Sequence, residues 1–107
     1  MSVPLINQGD SMRHTNHDIN LLYKALNNSI RRSILRNLAV QDLSLSLLAD
    51  TYGMSLQGVK RHLHVLQRCQ LISAYHGNHA AMYRLHEPSI LKLMENTAIW
   101  YNSDKSA

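Results

Sequence analysis

One stretch, residues 56–68, constrains the fold more than any other part of the chain, because its periodicity separates two faces. If it forms a helix, its large apolar residues lie on one side, in the spacing of a buried face: Leu56, Val59, Leu63 and Leu66. The opposite side offers cations, amides and imidazole without an acidic residue: Gln57, Arg61, His64 and Arg68, with Lys60 and Gln67 at its edge. Arginine and glutamine can bond base edges, and lysine can contact phosphate. The stretch therefore predicts a helix that enters a groove of nucleic acid.

The residues just before this helix predict a helix-turn-helix. Ala49 is small enough for two helices to cross closely, and Gly53 suits a tight turn that requires a positive φ. Val59 is a β-branched residue for the core between the helices. Ser55 is placed as the N-cap of the second helix. Together these features indicate a helix-turn-helix more specifically than any one of them does alone.

Size and composition fit a single small domain that binds an anionic partner. The chain has 107 residues and a net charge of +4, which is compatible with nucleic-acid binding without establishing it. The single cysteine excludes an intramolecular disulfide framework and fits a reducing compartment. The sequence has no window as apolar as a transmembrane helix and no signal-peptide core. We therefore expect a cytoplasmic protein.

Helix and turn signals predict the order of elements along the chain. Residues 1–16 are polar and aperiodic and are interpreted as a flexible arm, and residues 102–107 as a frayed tail. Between them, residues 17–101 form the predicted domain. Its helices are expected from the Asp18 cap to Leu26, from the Asn28 cap through residue 39, from the Ser44 cap to Tyr52, over residues 56–68, and from Pro88 to Tyr101.

A β-hairpin is predicted between the last two helices. Residues 71–75 and 80–85 read as short strands, and the dipeptide Gly77-Asn78 between them is a turn signal. The order is then α-α-α-α-β-β-α, which is a mainly α winged helix-turn-helix with a small β-hairpin. The last helix is more apolar than one face of a small domain can hide, so we expect a partner subunit.

At this point the sequence resembles the ArsR family of winged-helix transcription regulators. The resemblance covers residues 22–101 and rests on ALNNSIRRSILRNL, on LSLSLLADTYGMSLQGVKRHLHVLQRCQLI and on YRL at residues 83–85. It implies a homodimer joined by its first and last helices, which binds an inverted-repeat operator on double-stranded DNA and represses transcription. The residues expected at the dimer interface are Leu22, Leu26, Ile90, Leu93, Met94 and Trp100.

The sequence departs from the family at its metal sites. Metal-sensing members carry a Cys-x-Cys pair where this chain has Ser44 and Ser46, and thiolates are the ligands that soft metals require. The second family site uses histidine on the last helix, whereas residues 88–101 contain Glu95 but no histidine. No metal site and no cofactor are predicted, and the effector stays open. Gln70 also replaces the glycine usual after the reading helix, which predicts a strained helix end.

The DNA contacts are predicted residue by residue. Base contacts are expected from Gln57, Arg61 and His64, and phosphate contacts from Ser55, Lys60 and Arg68. Gly58 would let the backbone come close to DNA or to the preceding helix. On the wing, His76, Asn78 and His79 are expected to reach a minor groove or a phosphate rather than a metal ion. His62 borders the apolar face and is expected to be half-buried with a structural hydrogen bond.

Three features keep two interpretations each. Arg31, Arg32 and Arg36 form either a solvated face or a functional one, which contacts phosphate or makes an ion pair that orients the DNA-reading unit. The arm with Arg13 and His14 is either frayed or touches DNA. Cys69 is interpreted as a small buried side chain, with a redox switch as the alternative.

Two classes of function remain. The first is a DNA-binding repressor, and the second is a winged helix that binds a protein and no DNA. A protein-binding module should carry acidic or apolar residues where this chain has Gln57, Arg61, His64 and Arg68. We expect no enzyme, since the sequence has no nucleophile with a base at useful spacing and no phosphate-binding loop.

Overall fold

The computed structural model describes residues 19–95, and it contains the predicted helix-turn-helix and hairpin. The described elements follow in the order α1 (residues 19–26), α2 (Ser29–Val40), β1 (Leu43–Ser44), α3 (Leu45–Tyr52), α4 (Leu56–Arg68), β2 (Ile72–His76), β3 (Ala81–Leu85) and α5 (Ile90–Met94). The prediction of a mainly α winged helix-turn-helix with a small hairpin is confirmed. The arm 1–16, the Asp18 cap, Trp100, Tyr101 and the tail 102–107 lie outside the described residues.

The sheet contains one strand that the sequence did not predict. The hairpin strands β2 and β3 are antiparallel, with Ile72 opposite Leu85 and His76 opposite Ala81. The short strand β1 pairs antiparallel with the other edge of β3, Leu43 opposite Tyr83, so the strand order is β1-β3-β2. A strand of two residues has no periodicity of its own, and only its partner defines it. This strand ties the start of α3 to the wing.

Side-chain caps begin three helices where the sequence predicts them. Asn28 Oδ1 accepts the backbone N–H of Arg31 at 3.0 Å, Ser44 Oγ accepts that of Leu47 at 3.1 Å, and Ser55 Oγ accepts that of Gly58 at 3.0 Å. Each cap satisfies an N–H that has no partner within its helix. These bonds set the first turns of α2, α3 and α4.

The last helix begins two residues later than predicted. Pro88 and Ser89 lie in a turn, and the Leu91 N–H donates to the Pro88 carbonyl at 3.0 Å. The Ser89 hydroxyl donates to Glu87 Oε2 at 2.6 Å instead of capping the helix. The expected end at Tyr101 lies outside the described residues.

The core lies between the helices and the inner face of the sheet. Its fully buried members include Ile34 and Leu35 of α2, Leu48 of α3, and Leu63 and Leu66 of α4. Leu56 was expected on this buried face, but its side chain is 52% exposed. Leu56 is the first residue of α4, and the prediction of a buried side chain is wrong at this position.

Half of the residues expected at the dimer interface are already buried within the chain. Leu26 is completely buried, and Ile90 and Met94 retain 5% and 4% of their surface. These side chains have almost no surface left to bury against a second subunit, so the interface prediction is corrected at these positions. Leu22 and Leu93 are half-buried and can still contribute, whereas Trp100 lies outside the described residues.

Two arginines of α2 satisfy the carbonyl end of α1. Arg32 is 2% exposed, and its Nη1 donates to the Leu26 carbonyl at 2.8 Å. Arg31 donates from Nε to the Ala25 carbonyl at 2.6 Å and from Nη2 to the Lys24 carbonyl at 3.1 Å. The last carbonyls of a helix have no partner within it and attract cations. The interpretation as a solvated face is therefore wrong for Arg32, whereas Arg36 is exposed.

The end of α4 is strained, as the sequence predicts. Gln70 has a φ of 60° and is the only residue other than glycine with a positive φ in the described part of the chain. The Gln70 N–H donates to the Gln67 carbonyl and the Leu71 N–H to the Leu66 carbonyl, which closes the helix. In this conformation Cβ crowds the carbonyl oxygen, and glycine avoids that cost.

Replacing Arg32 by methionine is expected to destabilise the protein. Arg32→Met leaves the Leu26 carbonyl without this donor in a buried site, which costs about 1–3 kcal/mol in the free energy of unfolding. Urea denaturation measures the difference. Arg36→Met is the matched control on the exposed side of α2 and should stay within about 0.5 kcal/mol of the wild type. Equal stability of the two variants would contradict the capping role.

Replacing Gln70 by glycine is expected to stabilise the protein. Gln70→Gly relieves the positive-φ strain and should raise the free energy of unfolding by about 0.5–1 kcal/mol, after the greater entropy of glycine in the unfolded chain is subtracted. Gln67→Gly, inside α4, should instead lower it by about 1 kcal/mol. Thermal or urea unfolding of both variants checks that the free energy of unfolding changes in opposite directions.

Candidate nucleic-acid interface

The turn before α4 has the geometry that the sequence predicts. Gly53 has a φ of 59°, and its N–H donates to the carbonyls of α3 at Ala49 and Asp50. A Cβ at Gly53 would meet nothing within 4 Å, so the positive φ, and not a lack of space, favours glycine here. Ala49 and Val59 are buried, as expected for the residues of the helix crossing. This turn fixes how α4 is presented to solvent.

The two faces of α4 are separated as the periodicity predicts, apart from Leu56. Val59, Leu63 and Leu66 are completely buried. The polar residues predicted to contact DNA from α4 are exposed: Gln57, Lys60, Arg61, His64 and Arg68. Because the apolar face is held in the core, the polar face must point away from the domain.

Four of these polar residues share one groove. The groove has a volume of about 500 Å³ and is lined by Gln57, Lys60, Arg61, His64, Val65, Gln67 and Tyr83. None of these residues is acidic. The floor is Tyr83 of β3, which is 6% exposed and whose pKa is raised by burial. The structure therefore brings the predicted base contacts and Lys60 together on one surface.

The other predicted contacts on α4 have different surroundings. Ser55 Oγ accepts the Gly58 N–H, so its hydroxyl has a structural role in addition to the predicted phosphate contact. A Cβ at Gly58 would lie 3.2 Å from Met54 Cε and 3.2 Å from Ser55 Oγ, which indicates close packing on the turn before α4. Arg68 does not line the groove; it lines a second cavity between α4 and α1.

The wing tip presents the three predicted polar residues to solvent. His76, Asn78 and His79 are exposed, and they lie at the end of the hairpin remote from the junction of α4 with β2. The Gly77 N–H donates to the Ala80 carbonyl at 2.8 Å. A Cβ at Gly77 would lie 2.7 Å from Met82 Cγ, so the tip folds tightly over Met82. Within residues 19–95, no three histidine, cysteine, aspartate or glutamate side chains could together hold a metal ion.

A polar cluster that the sequence did not reveal joins the wing strands to the residue just before β1. The Tyr75 hydroxyl donates to Asp42 Oδ2 at 2.6 Å, and Arg84 Nη2 donates to the same oxygen at 3.3 Å. The Arg84 guanidinium lies 4.4 Å from the Tyr75 ring centroid, within reach of a cation–π interaction. The hydrogen bond from Tyr75 and then that from Arg84 lower the pKa of Asp42. No local pattern relates residues this far apart in the chain.

His62 connects α4 to the arginine that caps α1. Arg31 Nη1 lies 3.1 Å from His62 Nδ1. Arginine has no acceptor, so Nδ1 must accept and the imidazole must be neutral. Burial, and then the charge of Arg31, lower the pKa of His62. The expectation of a half-buried histidine with a structural hydrogen bond is confirmed.

Cys69 lies at the junction of α4 and α1. It is half-buried, and its Sγ donates to the Leu21 carbonyl at 3.5 Å. This placement agrees with the interpretation as a small packed side chain at the edge of the core. It gives no support to the alternative of an exposed redox thiol.

No helix in the described part of the chain is long and apolar enough to cross a membrane. No protein-family model matches the sequence, and no curated protein is significantly similar to it.

Solved structures resemble the chain over most of its length. The transcriptional regulator HlyU from Vibrio vulnificus is 26% identical, with a TM-score of 0.62, over 83% of this chain and 95% of that one. An ArsR-like transcriptional regulator from Rhodococcus is 26% identical, with a TM-score of 0.64, over 87% and 89%. The third is a homodimeric winged helix-turn-helix DNA-binding domain from Mycobacterium bovis, described as a possible ArsR-family regulator. It is 22% identical, with a TM-score of 0.73, over 89% and 88%. The predicted ArsR-like winged helix is confirmed.

Protonation of His62 is expected to weaken the fold in mild acid. Because its folded pKa lies below the ordinary value near 6.5, stability is fully present above about pH 6.5 and is lost as the pH falls through the folded pKa. His62→Gln can still accept from Arg31 but does not titrate. Urea denaturation from about pH 7.5 to 5 should show a steeper loss in the wild type than in the variant. Parallel pH profiles would contradict this assignment.

Proposed function

We propose that this ArsR-like winged-helix protein is a homodimeric transcriptional repressor that binds an inverted-repeat operator on double-stranded DNA. The observation that carries the proposal is the groove formed by α4 and Tyr83, in which Gln57, Lys60, Arg61 and His64 are exposed together. No acidic residue of the described part of the chain lines this groove. Such a surface offers donors for base edges and positive charge for phosphates. A protein that binds an operator must be in the compartment that holds the DNA. In bacteria and archaea this compartment is the cytoplasm.

The proposed readout assigns a role to each part of the interface. Gln57, Arg61 and His64 contact base edges in the major groove, and Ser55, Lys60 and Arg68 contact phosphates. The wing tip, with His76, Asn78 and His79, contacts the adjacent minor groove or its phosphates. Two observations support this division: α4 presents one exposed polar face, and the tip lies at the far end of the hairpin.

A dimer would place two copies of α4 about 34–36 Å apart, one turn of DNA, on successive half-sites. Apolar surface supports such an interface: Ile19 and Tyr23 of α1 are each 41% exposed, and Leu22 and Leu93 are half-buried. The similar domain from Mycobacterium bovis is homodimeric.

The alternative function is a winged helix that binds a protein and no DNA. The acid-free face of α4 argues against it, since an interaction helix of this kind should present acidic or apolar residues. Leu56 is the exception, because it is an exposed apolar residue at the start of α4.

Sequence selection from random double-stranded DNA separates the two functions. We expect the purified dimer to enrich a palindromic site with half-sites one helical turn apart. If no palindrome is enriched, the repressor proposal fails.

Replacing Arg61 by alanine is expected to cost about 1–3 kcal/mol of binding free energy at the selected site and to relax specificity at one base pair. Replacing Lys60 by alanine should instead weaken binding to all DNA sequences alike. It should also reduce by about one the slope of the logarithm of the binding constant against the logarithm of the salt concentration. Fluorescence anisotropy over a salt series measures both effects. Lys92→Ala, an equal loss of charge at an exposed position of α5, is the control. Uniform weakening of all sequences by Arg61→Ala would show that Arg61 contacts phosphate.

A further inference from the structure

A second cavity lies where α1, α2 and α4 meet, beside the proposed DNA interface. It has a volume of about 270 Å³ and is lined by Leu21, Lys24, Arg31, Val65, Arg68 and Cys69. Leu21 and Val65 are half-buried, so the cavity has an apolar wall on both helices. The bond from Cys69 Sγ to the Leu21 carbonyl holds α4 and α1 together at this point.

Among residues 19–95, the same cavity is lined by three cations and no acidic residue. Arg31 is half-buried, and its hydrogen bonds go only to uncharged acceptors: two carbonyls of α1 and His62 Nδ1. Within residues 19–95 the one salt bridge joins Arg84 to Asp42, so Lys24, Arg31 and Arg68 have no acidic partner there. Burial lowers the pKa of Arg31. An anion placed among these cations would relieve their mutual repulsion and compensate a half-buried charge.

The size of the cavity limits the ligand to a small molecule. A closed apolar cavity of about 150 Å³ holds benzene, so 270 Å³ leaves room for a charged head group and a short apolar body. Inorganic anions would satisfy the cations but leave the wall formed by Leu21 and Val65 in contact with water.

We propose that this cavity binds a small organic anion with a short apolar tail, with the anionic group among Lys24, Arg31 and Arg68 and the tail against Leu21 and Val65. Arg68 also belongs to the proposed phosphate contacts. The anion and DNA therefore compete for Arg68, and each weakens the binding of the other. This coupling rests on the proposed function, whereas binding of the anion does not.

The test uses octanoate as the probe and the free full-length protein. In ¹⁵N-labelled protein, octanoate should shift the amide resonances of Leu21, Arg68 and Cys69 in a saturable manner. Octylammonium and 1-octanol have the same tail without the negative charge, and acetate and inorganic phosphate have the charge without the tail. Each of the four should bind at least tenfold more weakly. Equal binding of 1-octanol would show a merely apolar cleft, and equal binding of phosphate would show a phosphate contact; either result overturns the proposal.

A pair of charge-reversal variants locates the site. Lys24→Glu, on the exposed side of α1, should weaken octanoate at least tenfold, because it places a negative charge at the cavity. Lys92→Glu makes the same change on α5, away from the cavity, and should bind octanoate as the wild type does. Circular dichroism confirms that both variants are folded. Unchanged binding by Lys24→Glu would overturn the assignment.

Anisotropy with the selected operator tests the coupling. Saturating octanoate should weaken operator binding at least threefold in the wild type, and operator should weaken octanoate by the same factor. Lys24→Glu should bind the operator without responding to octanoate. Octanoate that binds at the cavity without affecting operator affinity overturns the competition for Arg68. Failure to bind any DNA overturns the proposed function instead and leaves the octanoate titrations as the test of the cavity.

Discussion

The satisfaction of the carbonyl end of α1 is the interaction on which the arrangement of the other helices depends. Arg31 and Arg32 are neighbours on α2, and together they bond three successive carbonyls, those of residues 24–26. Without these donors the helix end would be buried with unsatisfied acceptors, which is costly in a core that contains Leu26. Arg31 then extends the same network to His62 on α4. One pair of side chains therefore sets how α1, α2 and α4 pack.

The second constraint is the division of α4 into two faces. Val59, Leu63 and Leu66 are completely buried, and each contributes roughly 1.5–3 kcal/mol relative to full exposure. This burial fixes the rotation of α4 about its axis. Caps at both ends of the α3–α4 turn, Gly53 and Ser55, fix where the helix begins. Core packing thus sets the direction in which the polar face of α4 points. The residues of that face are not needed to orient the helix.

Local patterns predicted the helices, their side-chain caps, the hairpin and the exposed residues of α4, because each depends on neighbours within about one turn of helix or one hairpin. The misses share a physical cause, which is dependence on distant residues. Leu56 fits the apolar period of α4, but it is 52% exposed because no other part of the described chain buries it. The sequence alone does not show that Arg32 is buried, because its partner is the Leu26 carbonyl at the end of α1. β1 exists only because Tyr83 pairs with Leu43, and Asp42 meets Tyr75 only through that sheet.

The position of Val65 links the two cavities on α4 through one side chain. Val65 lines both the groove that faces Tyr83 and the cavity that faces Leu21. It is half-buried and lies between His64, on the groove side, and Arg68, on the cavity side. A displacement of the Val65 side chain would change the lining of both, since packed side chains leave little free volume to absorb it. We therefore expect that a ligand in the second cavity that displaces Val65 also changes the groove proposed to bind DNA.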